Sequence, residues 1–82
     1  MKDKAVIREA IREALGVVPA GKLCTTEMLT KSAARIVIFE VTEADLQEAI
    51  EWNQSKGFID YKWDSDSEVD SWFLTERGRA KK

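Results

Sequence analysis

The feature that most constrains the fold is a pair of alternating runs, residues 58–64 and 69–75, separated by four polar residues. Short runs with a period of two, joined by a polar turn, predict a β-hairpin. Centring the turn on Asp66 and Ser67 fixes the register of the two strands. This register makes three cross-strand pairs: Ile59 with Leu74, Tyr61 with Trp72, and Trp63 with Asp70. It places all three aromatic residues of these pairs on one face of the hairpin.

Three amphipathic stretches precede the hairpin. Apolar residues that recur every three or four positions predict helices at about residues 2–15, 26–37 and 43–56. Gly16 is expected to cap the first helix, and Gly57 is expected to end the third. Residues 22–24 are interpreted as a short strand and residues 76–82 as a basic tail. The whole chain, residues 1–82, is therefore interpreted as a single domain.

The apolar faces of these helices predict the core. The first helix offers Ile7, Ala10, Ile11, Ala14 and Leu15; the second offers Met28, Leu29, Ser32, Ala33 and Ile36; the third offers Leu46, Ala49 and Ile50. Asn53 falls where an aliphatic residue would continue the third stripe, and Trp52 flanks it. The third stripe is therefore imperfect.

Composition argues against catalysis. The 82 residues are 44% hydrophobic and 34% charged, which is typical of a globular chain. Histidine is absent, which removes the commonest general base and zinc ligand, and the glycines are too scattered for a phosphate-binding loop. Cys24, the one cysteine, is expected to be a small buried residue. We expect no catalytic residue, no metal and no cofactor, and thus a protein that is not an enzyme.

Neither a membrane segment nor a signal peptide is expected. The longest apolar stretch, residues 36–39, is far shorter than the roughly 18 residues that span a bilayer. The N-terminal residues are charged and amphipathic, unlike a secretory signal. We therefore expect a cytoplasmic protein.

The predicted order of helix, short strand, helix, helix and hairpin is that of a winged helix-turn-helix, an α+β fold. Two phrases support this assignment: Val41–Leu46 continuing through Ala49-Ile50 to Lys56-Gly57-Phe58-Ile59, and Phe73-Leu74-Thr75-Glu76-Arg77-Gly78-Arg79. They resemble the third helix with the first wing strand, and the end of the wing, in MarR- and PadR-like regulators and in small phage and prophage winged-helix proteins. The resemblance covers nearly the whole chain. It implies a DNA-binding domain of a transcription regulator, with the third helix in the major groove.

The charges oppose this implication. Residues 40–56 contain one basic and five acidic residues, and residues 58–72 again contain one and five, so each segment has a net charge of −4. These are the third helix and the wing, the two elements expected to touch DNA, whereas DNA affinity depends largely on Lys and Arg at phosphates. The largest excess of basic over acidic residues lies instead around the second helix and in the tail. The residues expected to contact DNA, if it is bound, are Lys22, Lys31, Arg35, Gln47, Arg77 and Arg79.

A protein partner is the alternative. The acidic residues form either a solvated face or a docking surface for a basic protein, and the aromatic residues of the hairpin belong either to the core or to an interface, which includes a homodimer. The tail is either a solvated end or a DNA contact. The residues expected at a protein interface are Glu43, Glu48, Glu51, Tyr61, Trp63 and Trp72.

Overall fold

A computed structural model describes residues 3–18 and 23–80 of the chain. Its elements are, in order, α1 (Lys4–Gly16), α2 (Thr26–Ile36), α3 (Glu43–Ser55), β1 (Ile59–Asp64), β2 (Val69–Leu74) and α4 (Glu76–Ala80). The α+β class predicted from the sequence is confirmed, with three helices before an antiparallel hairpin. Residue 2, where the first helix is expected to begin, and Lys22 lie outside the described residues.

The hairpin has the predicted register. Ile59 is opposite Leu74, Tyr61 is opposite Trp72, and Trp63 is opposite Asp70. The alternation of side chains and the polar turn at residues 65–68 are sufficient to determine this pairing, because a shift of one residue would turn every side chain to the other face.

The core lies where α1 packs against both α2 and α3. The predicted stripe of α1 is buried in full, and so are Leu46, Ala49 and Ile50 of α3. The α2 stripe is buried at Leu29 and Ala33 and half-buried at Ser32 and Ile36, but it differs from the expectation at Met28, which is 51% exposed in the first turn of the helix. Cys24 is buried, as predicted, and this burial raises the pKa of its thiol.

The polar residue in the α3 stripe is completely buried. The Asn53 side-chain amide donates to the carbonyls of Arg8 (3.0 Å) and Ala49 (2.8 Å), and its oxygen accepts a 2.8 Å hydrogen bond from the Arg12 guanidinium. Asn53 therefore joins α3 to α1 through hydrogen bonds at a position where an aliphatic residue would only pack.

The predicted strand at residues 22–24 is wrong for its described part. Leu23 and Cys24 belong to neither strand of the hairpin. The Cys24 carbonyl does accept a 2.9 Å hydrogen bond from the Trp72 backbone, but the Cys24 N–H donates to the Ser71 hydroxyl (3.3 Å) rather than to a backbone carbonyl. One backbone hydrogen bond does not make a ladder.

Residues 76–80, expected to belong to a basic tail, form the helix α4, and residues 81 and 82 of that tail lie outside the described residues. Thr75 starts this helix: its hydroxyl accepts from the Gly78 N–H (3.1 Å) and its carbonyl accepts from the Arg79 N–H (3.0 Å). The same hydroxyl donates to the Gly57 carbonyl (2.5 Å), and the Thr75 N–H donates to the Phe58 carbonyl (3.1 Å). The two phrases that carry the resemblance therefore meet in space.

The ends of α1 and α3 differ from each other. Gly57 follows α3 with a φ of 78°, a left-handed conformation that suits glycine, and it ends the helix as predicted. Gly16, however, is the last residue of α1, and Val17 is the cap, with an ordinary right-handed conformation. The prediction that Gly16 caps α1 is therefore wrong, because the chain needs no positive φ at this point.

Candidate interaction surfaces

The hairpin exposes aromatic side chains on one face. Tyr61 is 45% exposed and Trp63 is 61% exposed, whereas Trp72 is half-buried against the core. The rings of Tyr61 and Trp72 pack at 5.2 Å between centroids, and the Trp72 indole N–H donates to the Thr26 hydroxyl (2.8 Å) at the start of α2. We call Tyr61, Trp63 and Trp72 the aromatic face. Its inner end is held by the body of the domain and its outer end is open to solvent.

Carboxylates surround the outer end of the aromatic face. Asp70 is directly opposite Trp63, Asp64 ends β1, and the turn adds Asp66 and Glu68. No lysine or arginine occurs between Lys62 and Arg77, and residues 62 and 63 point to opposite faces of the strand. The potential at this end of the hairpin is therefore negative.

One side of α3 is also acidic. Glu43, Gln47 and Glu51 are all exposed and follow one another at intervals of four residues, so they form a stripe along the helix. Glu48 lies off this stripe, is only part-exposed, and accepts a hydrogen bond from the Arg8 guanidinium. Of the three α3 glutamates predicted at an interface, Glu43 and Glu51 therefore share a surface, and Glu48 is engaged by α1.

The acidic stripe borders a groove that also contains Thr26, the residue bonded to Trp72. A groove of about 800 Å³ lies between α2 and α3, and its lining includes Thr26, Glu43 and Gln47. Thr26 is the residue whose hydroxyl holds Trp72. The groove thus extends from the N-terminal half of α3 to the residue that anchors Trp72.

The predicted DNA contacts are divided among several places. Lys31 and Gln47 line the groove between α2 and α3, but the Lys31 ammonium pairs with Glu27 at 3.0 Å. Arg35 is exposed near the end of α2. The Arg77 guanidinium lies over the Phe58 ring at 5.8 Å, and Arg79 lines a different groove, beside α1. Lys22 is outside the described residues. Neither of these two grooves brings the basic side chains together within the described parts of the chain.

Comparison with known proteins gave no relative. No protein-family model, no curated protein and no solved structure matches this chain. The candidate surfaces therefore rest on their own geometry and charge.

A metal-binding cluster and a membrane-spanning helix are both absent from residues 3–18 and 23–80. No group of three or more histidine, cysteine, aspartate or glutamate side chains is arranged to hold a metal ion. None of the helices in these ranges combines the length and the hydropathy of a membrane-spanning segment.

Arg8, whose guanidinium donates to Glu48, makes a second contact that the sequence did not predict. The Arg8 guanidinium carbon lies 4.6 Å from the centroid of the Trp52 ring, so Trp52 and Glu48 together hold one guanidinium. Trp52 and Glu48 are four residues apart on α3, a spacing that places them side by side. That spacing is visible in the sequence, but the arginine that fills it comes from another helix, 40 residues away in the chain.

Proposed function

We propose that this chain is a non-enzymatic winged-helix module that binds a basic surface on another protein. The winged-helix assignment is supported by the order of α1, α2, α3 and the hairpin, and by the contact between its two characteristic phrases at Thr75 and Phe58. The partner is inferred from the surface and not from the fold, since one fold serves many functions.

The observation that carries this proposal is the exposed aromatic face bounded by carboxylates. Tryptophan and tyrosine are enriched at protein interfaces, where they bury large apolar areas. The Trp63 side chain is 61% exposed, so much of its ring contacts water. Burying this apolar surface against a partner would be favourable. The acidic surroundings favour a partner of opposite charge, because complementary potentials accelerate association and exclude wrong partners.

A second copy of the chain fits this surface less well. In a symmetric dimer each residue of the face meets the same patch on the other copy. The outer end carries Asp64, Asp66, Glu68 and Asp70, so two such faces would bring like charges together, which is destabilising. We therefore favour a different protein as the partner over the homodimer that the sequence left open.

DNA binding is the second candidate. It is favoured by the exposed Arg35 and by the placement of Gln47, whose amide is a type of group that reads adenine in the major groove. It is opposed by Glu43 and Glu51, which lie on the same stripe as Gln47 and would face the phosphates.

The proposal can be tested by removing charge from one surface at a time. The double variant Asp66→Asn/Glu68→Gln, at the exposed turn beside the aromatic face, is expected to weaken the binding of an arginine-rich peptide about twofold to tenfold, since each exposed ion pair contributes modestly. Isothermal titration at low salt measures this change. The matched control, Glu9→Gln/Glu13→Gln, removes the same charge from the exposed side of α1 and is expected to change the affinity less. Equal losses in both variants, or no binding of the peptide to the unmodified chain, would reject the proposal.

A further inference from the structure

We propose that the outer end of the hairpin, between Trp63 and Asp70, holds an arginine side chain of the partner protein. This inference rests on the proposed function and makes it more specific, because it names the group that is recognised and the two residues that recognise it.

Trp63 and Asp70 are neighbours across the two strands. Residues directly opposite in an antiparallel pair have Cβ atoms about 4.5–5.5 Å apart, and their side chains project from the same face. An indole ring and a carboxylate at this separation can act on one cation at the same time. The ring face attracts the cation through its quadrupole, and the carboxylate accepts its hydrogen bonds.

The protein already contains this combination with its cation in place. On α3, the Trp52 ring and the Glu48 carboxylate hold the Arg8 guanidinium, which lies 4.6 Å from the ring centroid and donates to the carboxylate. Trp63 and Asp70 repeat the pair of an indole and a carboxylate on the hairpin. Among the described residues no cation approaches them, and the Asp70 carboxylate makes no hydrogen bond or ion pair there.

The opposite face of the hairpin carries a similar pair that is less suited to a cation. Phe73 is 39% exposed and is directly opposite Asp60. However, the Asp60 carboxylate accepts a 2.9 Å hydrogen bond from the Tyr61 N–H, and Lys62 projects from this same face. The Phe73–Asp60 pair therefore serves as a matched control within the same two strands.

The inner part of the aromatic face is held in place. The hydrogen bond from Trp72 to Thr26 and the packing of Tyr61 on Trp72 order these two rings. The Trp63–Asp70 pair therefore borders an ordered apolar surface on the same face of the hairpin. An arginine suits the pair better than a lysine, because the planar guanidinium stacks on a ring and at the same time bonds to a carboxylate.

The experiment follows the indole N–H signals of the three tryptophans by NMR while an arginine-rich peptide is added to the full chain. We expect the Trp63 indole and the Asp70 amide to shift and to saturate, and the Trp52 indole to stay in place. A peptide with citrulline at every arginine, which keeps the shape but loses the charge, is expected not to bind. Binding of the citrulline peptide with equal affinity would overturn the inference.

Variants on the two faces provide the second measurement. Trp63→Ala and Asp70→Asn are each expected to weaken the peptide about twofold to fivefold, whereas Phe73→Ala and Asp60→Asn change its affinity less. Because Trp63 and Asp70 are exposed, the fold should tolerate both changes. If the peptide binds but the two faces respond equally, the Trp63–Asp70 site is rejected and the proposed function remains. If neither the unmodified chain nor any variant binds the peptide, the Trp63–Asp70 site and the proposed function are both rejected.

Discussion

Gly78→Ala is expected to lower the free energy of unfolding by about 3 kcal/mol, at the upper end of the cost of overpacking. A Cβ at this position would lie 1.9 Å from the Phe58 carbonyl oxygen and 2.9 Å from its carbon. These are backbone atoms, so they cannot turn aside as a flexible side chain would. The Phe58 carbonyl also accepts from the Thr75 N–H, so moving it disturbs the junction between α3, the hairpin and α4. Chemical denaturation of both proteins measures the difference.

Gly16→Ala is the matched control for this substitution. The Cβ added at Gly16 would meet only the end of the Leu74 side chain, at 3.8 Å, which is an ordinary contact. Because Gly16 is helical, alanine should leave the stability unchanged or raise it by up to about 1 kcal/mol. Similar losses at both positions would show that the close approach at Gly78 is unimportant. A loss of stability confined to Gly78→Ala would support a steric clash with the Phe58 backbone.

Asn53→Leu is expected to destabilise the fold by about 2–3 kcal/mol, although leucine suits the apolar stripe of α3. The substitution removes the acceptor of the Arg12 guanidinium and the donor to the Arg8 carbonyl. Arg12 is partly buried, and a charged group away from water that loses its partner has a larger cost than a neutral one. The midpoint of denaturation, at an unchanged slope, reports this loss.

Gln47→Ala on the same helix is the control for Asn53. Gln47 is exposed and its replacement should change the stability by no more than about 0.5 kcal/mol. Should Asn53→Leu prove as stable as the unmodified chain, the Asn53 hydrogen bonds between α1 and α3 would contribute nothing net to the free energy of unfolding.

The parts of the fold that follow from local pattern are predictable. The pairing of Tyr61 with Trp72 and of Trp63 with Asp70 follows from a period of two and the position of the turn. The buried face of α1 follows in the same way from a helical period. Because the candidate arginine site consists of one cross-strand pair, the alternation of residues along the two strands is sufficient to place its two side chains next to each other.

The parts that depend on distant residues are not predictable from local pattern. Asn53 interrupts an apolar stripe, and only the packing of α1 on α3 shows that Arg8 and Arg12 satisfy its amide. The α4 helix contains Gly78 and follows no apolar period, so its sequence predicts only a tail. It forms because Thr75 caps it and because Gly78 packs on the Phe58 backbone. At Cys24 the Ser71 hydroxyl replaces a backbone carbonyl, which no alternation pattern reports.

Under the proposed function, the surface charge determines what this domain binds, and the order of helices and strands does not. The most direct test is a pair of titrations of the isotope-labelled full chain at low salt, one with mixed-sequence duplex DNA and one with the arginine-rich peptide. We expect saturable shifts at Trp63 and Asp70 with the peptide, and none with DNA up to about 100 µM, the weak end of ordinary non-specific DNA binding. Salt-sensitive shifts with DNA at Lys31, Arg35 and Arg77, together with no response to the peptide, would contradict it.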